Sequence, residues 1–172
     1  MENISKESTS VIAAEYLREL ESEARATREC LELVPMEEAN WKPHEKSMPL
    51  NYMASMIAEM PKWITYIIQE GNIDFGTFEH TKIETTEQLV AAFDKNMADV
   101  RTAFDLLTDD GLKDTFTLKN QGKLLISSPK GETISQSINH LVHHRGQLTV
   151  YLKLLGKQIP SIYGPSADVS GF

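Results

Sequence analysis

The chain has 172 residues, 41% of them hydrophobic and 24% charged, a composition typical of one globular domain over residues 1–172 that buries its own core. Its net charge of −8, with no basic stripe, excludes a surface that binds nucleic acid or an anionic membrane, because such surfaces neutralise phosphates. Cys30 is the only cysteine, and neither a secretory signal nor a run of about 18 apolar residues occurs, so the composition favours a protein of the reducing cytoplasm.

Hydrophobic periodicity predicts four long amphipathic helices, because apolar residues recur at spacings of three and four. The first helix is expected at about residues 8–33 and the second at 50–70, where Gly71 supplies the stop. Residues 72–82 are polar and aromatic and predict a loop, ahead of a third helix at about 85–108 whose N-cap is a threonine. Each apolar stripe needs a partner, so a four-helix bundle is the economical solution.

The hydrophobic period changes between the third and fourth helices. Residues 114–126 alternate like two short strands joined by a turn at 120–122, which predicts a short β-hairpin. The fourth helix is expected to follow Thr133, a candidate N-cap, and to end just before Gly156. The predicted fold class is therefore all-α, with one hairpin before the last helix.

The last helix carries the motif that bears most directly on function. At helical steps of about 100° per residue, His140 and His144 share one face, one turn apart, at the border of the apolar stripe. His143 falls on a different face and is expected at the surface. Two imidazoles spaced in this way hold one metal ion in some metalloproteins, but such a pair also occurs as a polar edge or a hydrogen-bonded core pair. Two histidines do not complete a metal site, and both interpretations remain open.

Several segments match a known family. NHLVHHRGQL at residues 139–148 continues through YLKLLG at 151–156 to IPSIYGPSAD at 159–168, and WKPH at 41–44 and EMPKW at 59–63 stand at the expected positions. Together they strongly resemble the DinB-like superfamily over nearly the whole chain. The resemblance implies an up-down-down-up four-helix bundle and a homodimer. It also implies a small-molecule substrate, with low-molecular-weight thiols among the candidates, because characterised relatives include thiol-dependent transferases and isomerases.

The resemblance further implies a metal site of three histidines, one on the second helix and two on the fourth. His140 and His144 match the pair, but Met56 stands where the second-helix histidine is expected. A thioether is a poor ligand for Zn²⁺ or Ni²⁺, so such an ion is bound weakly or is absent unless another side chain joins. Two substitutes are considered: Glu59, whose helical angle points away from the apolar stripe, and His44, which precedes the second helix.

Other side chains bear on the chemistry. Ser137 and Tyr151 flank the histidine pair and can hydrogen-bond a bound water, and either His143 or Tyr151 is a candidate proton carrier. Arg145 is expected to tie helices together through an acidic partner. Cys30 is expected to serve packing, because nothing in the sequence lowers the pKa of its thiol. The only other histidine, His80, is isolated and expected at the surface.

Two functions from different classes remain open. One is a metal-dependent hydrolase or thiol-dependent S-transferase, in which an ion held by His140, His144 and Met56 activates a water or a small thiol. The other is a small-molecule-binding or interaction bundle whose metal site is degenerate. Met56 discriminates between the two functions, because its side chain decides whether the metal site is complete.

Overall fold

Four α-helices make up most of the computed structural model, which describes residues 10–170. The helices are α1 (Val11–Glu32), α2 (Leu50–Gln69), α3 (Thr86–Phe104) and α4 (Lys130–Leu154). α1 and α2 each pack against both α3 and α4, around one shared core. The four predicted helices are confirmed, although the start predicted at Ser8 lies outside the described residues. None of the helices in this part of the chain has the length and apolar character that a membrane crossing requires.

Most of the predicted capping residues stand at the helix ends that the structure shows. Thr85 accepts a hydrogen bond from a backbone N–H in the first turn of α3, which confirms it as the N-cap. Gly156 follows α4 with a φ of +76°, the left-handed conformation that ends a helix. The prediction that Thr133 caps α4 is wrong. The helix already begins at Lys130, and the Thr133 hydroxyl donates to the carbonyl of Pro129 one turn earlier.

A three-stranded sheet packs against α2 and α4, so the fold is mostly helical but not all-α. β2 (Thr115–Asn120) and β3 (Lys123–Pro129) form the predicted antiparallel hairpin. Both residues of its turn, Gln121 and Gly122, have positive φ, as a tight hairpin turn requires. β1 (Asn72–Asp74) pairs in parallel with β2, which corrects the prediction of a plain loop after α2. The up-down-down-up direction of the helices stays a prediction.

Asp74, the last residue of β1, fastens that strand to the hairpin turn. Its carboxylate accepts hydrogen bonds from the backbone N–H groups of Gly76, Gln121 and Gly122, at 2.7–2.8 Å. These bonds, led by the one from Gly76, lower the pKa of the Asp74 carboxyl. The segment 75–85 therefore leaves the sheet at a defined point before it reaches α3.

Arg145 joins three parts of the chain in the interior. Its guanidinium is 2% exposed and pairs with the carboxylate of Glu23 on α1 at 2.6 Å. It also donates to the hydroxyl of Thr27 at 3.2 Å and to that of Tyr163, in the C-terminal segment, at 2.7 Å. The prediction that Arg145 ties helices together through an acidic partner is therefore confirmed.

Candidate functional site

A cleft of about 1020 Å³ opens between α2, α4, the sheet and the segment 75–85. Most of its wall is apolar or aromatic, and this part includes Met56, Trp63, Phe75, Phe116 and Ile126. The histidines and the carboxylate among its polar side chains form two groups: a histidine pair on α4, and a glutamate of α2 with a histidine of the segment 75–85. Concave, mostly apolar surfaces with a few polar groups are the usual form of small-molecule sites.

His140 and His144 both line the cleft, one turn apart on α4, as their spacing predicts. Their Nε2 atoms are 2.6 Å apart, within hydrogen-bonding distance. The Nδ1 of His144 lies 2.8 Å from Oε1 of Gln147. Because a carboxamide oxygen can only accept, Nδ1 of His144 carries the ring proton and its Nε2 accepts from Nε2–H of His140. His144 is 5% exposed, whereas His140 lies at the more open side of the cleft.

The surroundings of the pair keep both rings neutral. The pKa of His140 is lowered, first by desolvation and then by the nearby His144 and His143. The pKa of His144 is also lowered, with desolvation again the largest cause, although the bond to Gln147 acts in the opposite direction. Since an unperturbed imidazole already loses its proton near pH 6.5, both rings are uncharged at neutral pH. Each therefore retains one nitrogen lone pair.

The donor set of the cleft does not complete the three-ligand metal site that the resemblance implies. Two nitrogens bound to one tetrahedral Zn²⁺ stand about 3.3 Å apart, so the rings of His140 and His144, at 2.6 Å, would have to separate to admit an ion. Met56 also lines the cleft, but its thioether binds Zn²⁺ and Ni²⁺ poorly. Across residues 10–170, no group of three or more His, Cys, Asp or Glu side chains is arranged to hold a metal ion.

Both side chains that could replace the missing ligand, His44 and Glu59, have other hydrogen-bond partners. His44 is exposed, and its Nδ1 accepts a hydrogen bond from the N–H of Lys46. Glu59 lines the cleft but is 2% exposed, and its carboxylate is already bonded to Thr81 and His80. His80 is exposed, as predicted, but it is not isolated.

The predicted proton carriers are not among the residues that line the cleft. His143 is exposed, with its ring centroid 5.0 Å from that of His144. Tyr151 is buried, and its hydroxyl donates to the carbonyl of Met48 at 3.2 Å. Ser137 does line the cleft, but its hydroxyl donates to a backbone carbonyl one turn earlier.

Cys30 is fully buried on α1. Burial raises the pKa of its thiol from 9.0 to about 11, against a smaller opposing effect of Arg145. The side chain is therefore an uncharged thiol packed in the core, and the prediction of a packing role is confirmed.

The contact between Glu59 and His80 is not predicted by the sequence pattern. The two residues lie on a helix and on an irregular segment, and nothing local links them. One signal was available, because Glu59 is a lone carboxylate within the apolar run IAEMP at residues 57–61. A carboxylate buried among apolar side chains requires a hydrogen-bonding partner.

Comparison with known proteins complements this geometry. The sequence matches the model of the DinB family over residues 4–170. A 40-residue segment is 42% identical to the uncharacterized protein YrdA of Bacillus subtilis (strain 168), and the match covers 23% of this chain and 24% of that protein. The chain thus matches about a quarter of the length of that curated relative.

Two solved structures share the fold. A DinB-like protein from Bacillus subtilis superposes with a TM-score of 0.66 at 20% identity, over 85% of this chain and 96% of that one. A DinB-like protein from Bacillus cereus gives a TM-score of 0.64 at 17% identity, over 90% and 99% of the two chains. At these identities the likeness shows the fold alone.

Proposed function

The chain belongs to the DinB family, and we propose that it binds a small, largely apolar molecule whose acidic proton is accepted by the histidine pair. The observation that carries this proposal is the position of two neutral imidazoles, His140 and His144, in the wall of a mainly apolar cleft. A small thiol fits this chemistry, since it combines an apolar body with one acidic proton. The apolar wall would hold the body of the ligand, and the pair would orient its S–H group.

Proton transfer to the pair would prepare a bound thiol for reaction. The S–H bonding electrons stay on sulfur as a thiolate, and the proton goes to Nδ1 of His140, the nitrogen of that ring that carries no hydrogen. The resulting imidazolium donates its Nε2–H to Nε2 of His144, a charge-assisted hydrogen bond that is stronger than the neutral one. His143, whose ring is next to His144 on the solvent side, is the candidate that passes the proton to water. Tyr151, the other predicted proton carrier, could take this role only after its hydroxyl releases its hydrogen bond to the carbonyl of Met48.

The thiolate would then act as the nucleophile of an S-transferase. It forms a bond from sulfur to an electrophilic carbon of a second substrate, and the leaving group departs with the electron pair of the bond that breaks. A water that gives its proton to the same pair would attack in the corresponding hydrolase. Because the pKa of each ring is lowered, the pair would release the proton readily at neutral pH.

A metal-dependent hydrolase or S-transferase is the second candidate function, and one contact favours it. Gln147 holds the Nδ1 proton of His144, which is the support that ligating histidines usually receive from a neighbouring acceptor. His140, His144 and Met56 are the residues nearest to such a role. Because this donor set does not suit Zn²⁺ or Ni²⁺, no step of the proposed reaction depends on an ion.

Binding of a probe thiol tests the proposed function. We expect phenylmethanethiol, which keeps its S–H proton at neutral pH, to bind saturably and to shift the ring NMR signals of His140 and His144, whereas its S-methyl derivative, which lacks the acidic proton, binds at least several-fold more weakly. His144→Gln should remove this difference between the two compounds, and His44→Gln, an exposed change outside the cleft, should keep it. Equal affinity for both compounds in the wild-type protein would contradict the proposal.

A further inference from the structure

The wall of the cleft contains one buried carboxylate, that of Glu59, which lies among apolar residues of α2. Glu59 is 2% exposed, yet both of its oxygens have partners. Oε1 accepts from the backbone N–H of Thr81 at 2.5 Å, and Oε2 lies 2.7 Å from Nδ1 of His80. A buried carboxylate is costly unless such partners are present. The segment that follows β1 therefore both covers Glu59 and is held by it.

This contact determines which nitrogen of His80 is free. The carboxylate accepts the proton of Nδ1, so the lone pair of the neutral ring resides on Nε2. Nε2 is on the far side of the ring from Glu59, and the ring lines the cleft with 60% of the side chain exposed. The edge-to-face contact with Phe78, at 5.1 Å between centroids, further restricts the ring.

An imidazole held by a buried carboxylate is the arrangement that general bases use. The carboxylate fixes the tautomer and orientation of the ring and stabilises the imidazolium that forms when the ring takes a proton. Two lysines near His80 are engaged elsewhere. Nζ of Lys62 donates to the carbonyl of Glu79 and lies 4.8 Å from the ring centroid of Phe78, and Nζ of Lys82 pairs with the carboxylate of Glu84 at 2.8 Å. Glu59 is thus the charged side chain in contact with the His80 ring.

We infer that His80 is a second proton acceptor of the cleft, with Glu59 as its positioning residue. Its ligand is an acidic X–H group, a thiol or a hydroxyl, on a molecule bound in the cleft. The proton moves to Nε2 of His80 while the bonding electrons remain on the sulfur or oxygen, and the imidazolium is stabilised through Nδ1–H by the carboxylate. The inference rests on the proposed function for its ligand, but the state of the His80 ring can be tested alone.

The first measurement is the protonation pattern of the His80 ring in the full-length protein. Nitrogen NMR in alkaline solution, where the ring is neutral, should show the proton of His80 on Nδ1 and a lone pair on Nε2, the reverse of the form that prevails in free histidine. Glu59→Gln preserves the shape of the side chain but removes its charge, and it should reduce the Nδ1–H population. His44, whose Nδ1 accepts from a backbone N–H, serves as the internal reference with the opposite tautomer.

The second measurement is the ionisation of phenylmethanethiol, which is protonated in water at neutral pH and whose thiolate absorbs in the ultraviolet. In the wild-type protein the bound probe should ionise about tenfold more readily than in water. His80→Gln should reduce that gain by about half, because the pair His140 and His144 remains as the first acceptor, and His44→Gln should leave it unchanged. Glu59→Gln should fall between the two, because the ring remains but its imidazolium loses the neighbouring charge.

The outcomes separate the two proposals. A proton on Nε2 of His80, or unchanged ionisation of the bound probe in His80→Gln, would overturn the inference while the function proposed for His140 and His144 stands. If the probe does not bind, the proposed function fails, and the tautomer of His80 still decides whether an acceptor faces the cleft. If Glu59 serves only to anchor the loop, the bound probe should ionise in His80→Gln and in Glu59→Gln as it does in the wild-type protein. Circular dichroism should first verify that both variants are folded.

Discussion

Nε2 of His140 lies 2.6 Å from Nε2 of His144, which makes the two rings one hydrogen-bonded unit. Removing the proton of either ring changes what the other ring can donate or accept. The chemistry of the cleft therefore depends on the side chains that set the tautomers of the pair, and on any side chain that would draw the rings apart.

Replacing Met56 by histidine should convert the cleft into a metal site. A third imidazole supplies the ligand that the pair lacks, and the energy of binding can separate the two rings. We expect Met56→His, purified without a histidine tag, to retain close to one equivalent of Zn²⁺ or Ni²⁺ by elemental analysis, and the wild-type protein to retain far less. Met56→His combined with His144→Ala should lose the ion. A full equivalent in the wild-type protein would instead favour the metal-dependent candidate.

Replacing Gln147 by leucine should disturb the tautomer of His144. The change leaves the Nδ1–H group of a ring that is 5% exposed without its acceptor, which costs about 1–3 kcal/mol unless the proton moves to Nε2. We expect urea unfolding to show a decrease of this size in the free energy of unfolding, or nitrogen NMR to show that the ring proton has moved from Nδ1 to Nε2. Gln158→Leu, at an exposed position, should cause neither change. Retention of both properties in Gln147→Leu would show that the Gln147 contact does not set the tautomer.

Replacing Arg145 by methionine should destabilise the fold strongly. The change leaves the carboxylate of Glu23, which is 12% exposed, with the hydroxyl of Tyr163 but without its cationic partner. The loss of one partner from a buried ion pair costs about 3–5 kcal/mol in free energy of unfolding. Chemical denaturation should show that adding Glu23→Gln recovers part of this loss. Arg18→Met, which breaks the exposed pair with Glu15, should cost less than about 1 kcal/mol. A similar small loss in Arg145→Met would mean that the buried pair contributes little.

Ionisation of Cys30 should make the protein less stable in alkali. The folded thiol has a pKa of about 11, against 9.0 for an exposed thiol, so only the unfolded chain releases this proton between those values. Stability is therefore lost as the pH rises from about 9 to about 11, by at most about 2–3 kcal/mol. Urea unfolding of Cys30→Ala should show a shallower decline over this range. Equal slopes, or rapid reaction of the native thiol with a disulfide reagent at neutral pH, would contradict the buried state.

The sequence predicts the parts of this molecule that depend on local patterns. Helical periodicity places His140 and His144 on one face, and the turn before Lys123 predicts the hairpin. Periodicity does not predict whether the rings of His140 and His144 form a hydrogen bond, because that depends on Gln147 and on the packing of the cleft. β1 has only three residues, too few to show an alternating pattern. The contact between Glu59 and His80 depends on where the chain returns after the sheet.

The parallel pairing of β1 with β2 has a consequence for the order of folding. Asn72 pairs with Thr117 across the whole of α3, whereas the hairpin closes over a two-residue turn. Closing the longer loop costs more chain entropy before any contact forms, so we expect β1 to join last and to detach first in partial unfolding. His80 follows β1 by only a few residues. Native-state hydrogen exchange should therefore find that the cleft loses this side before its helices open.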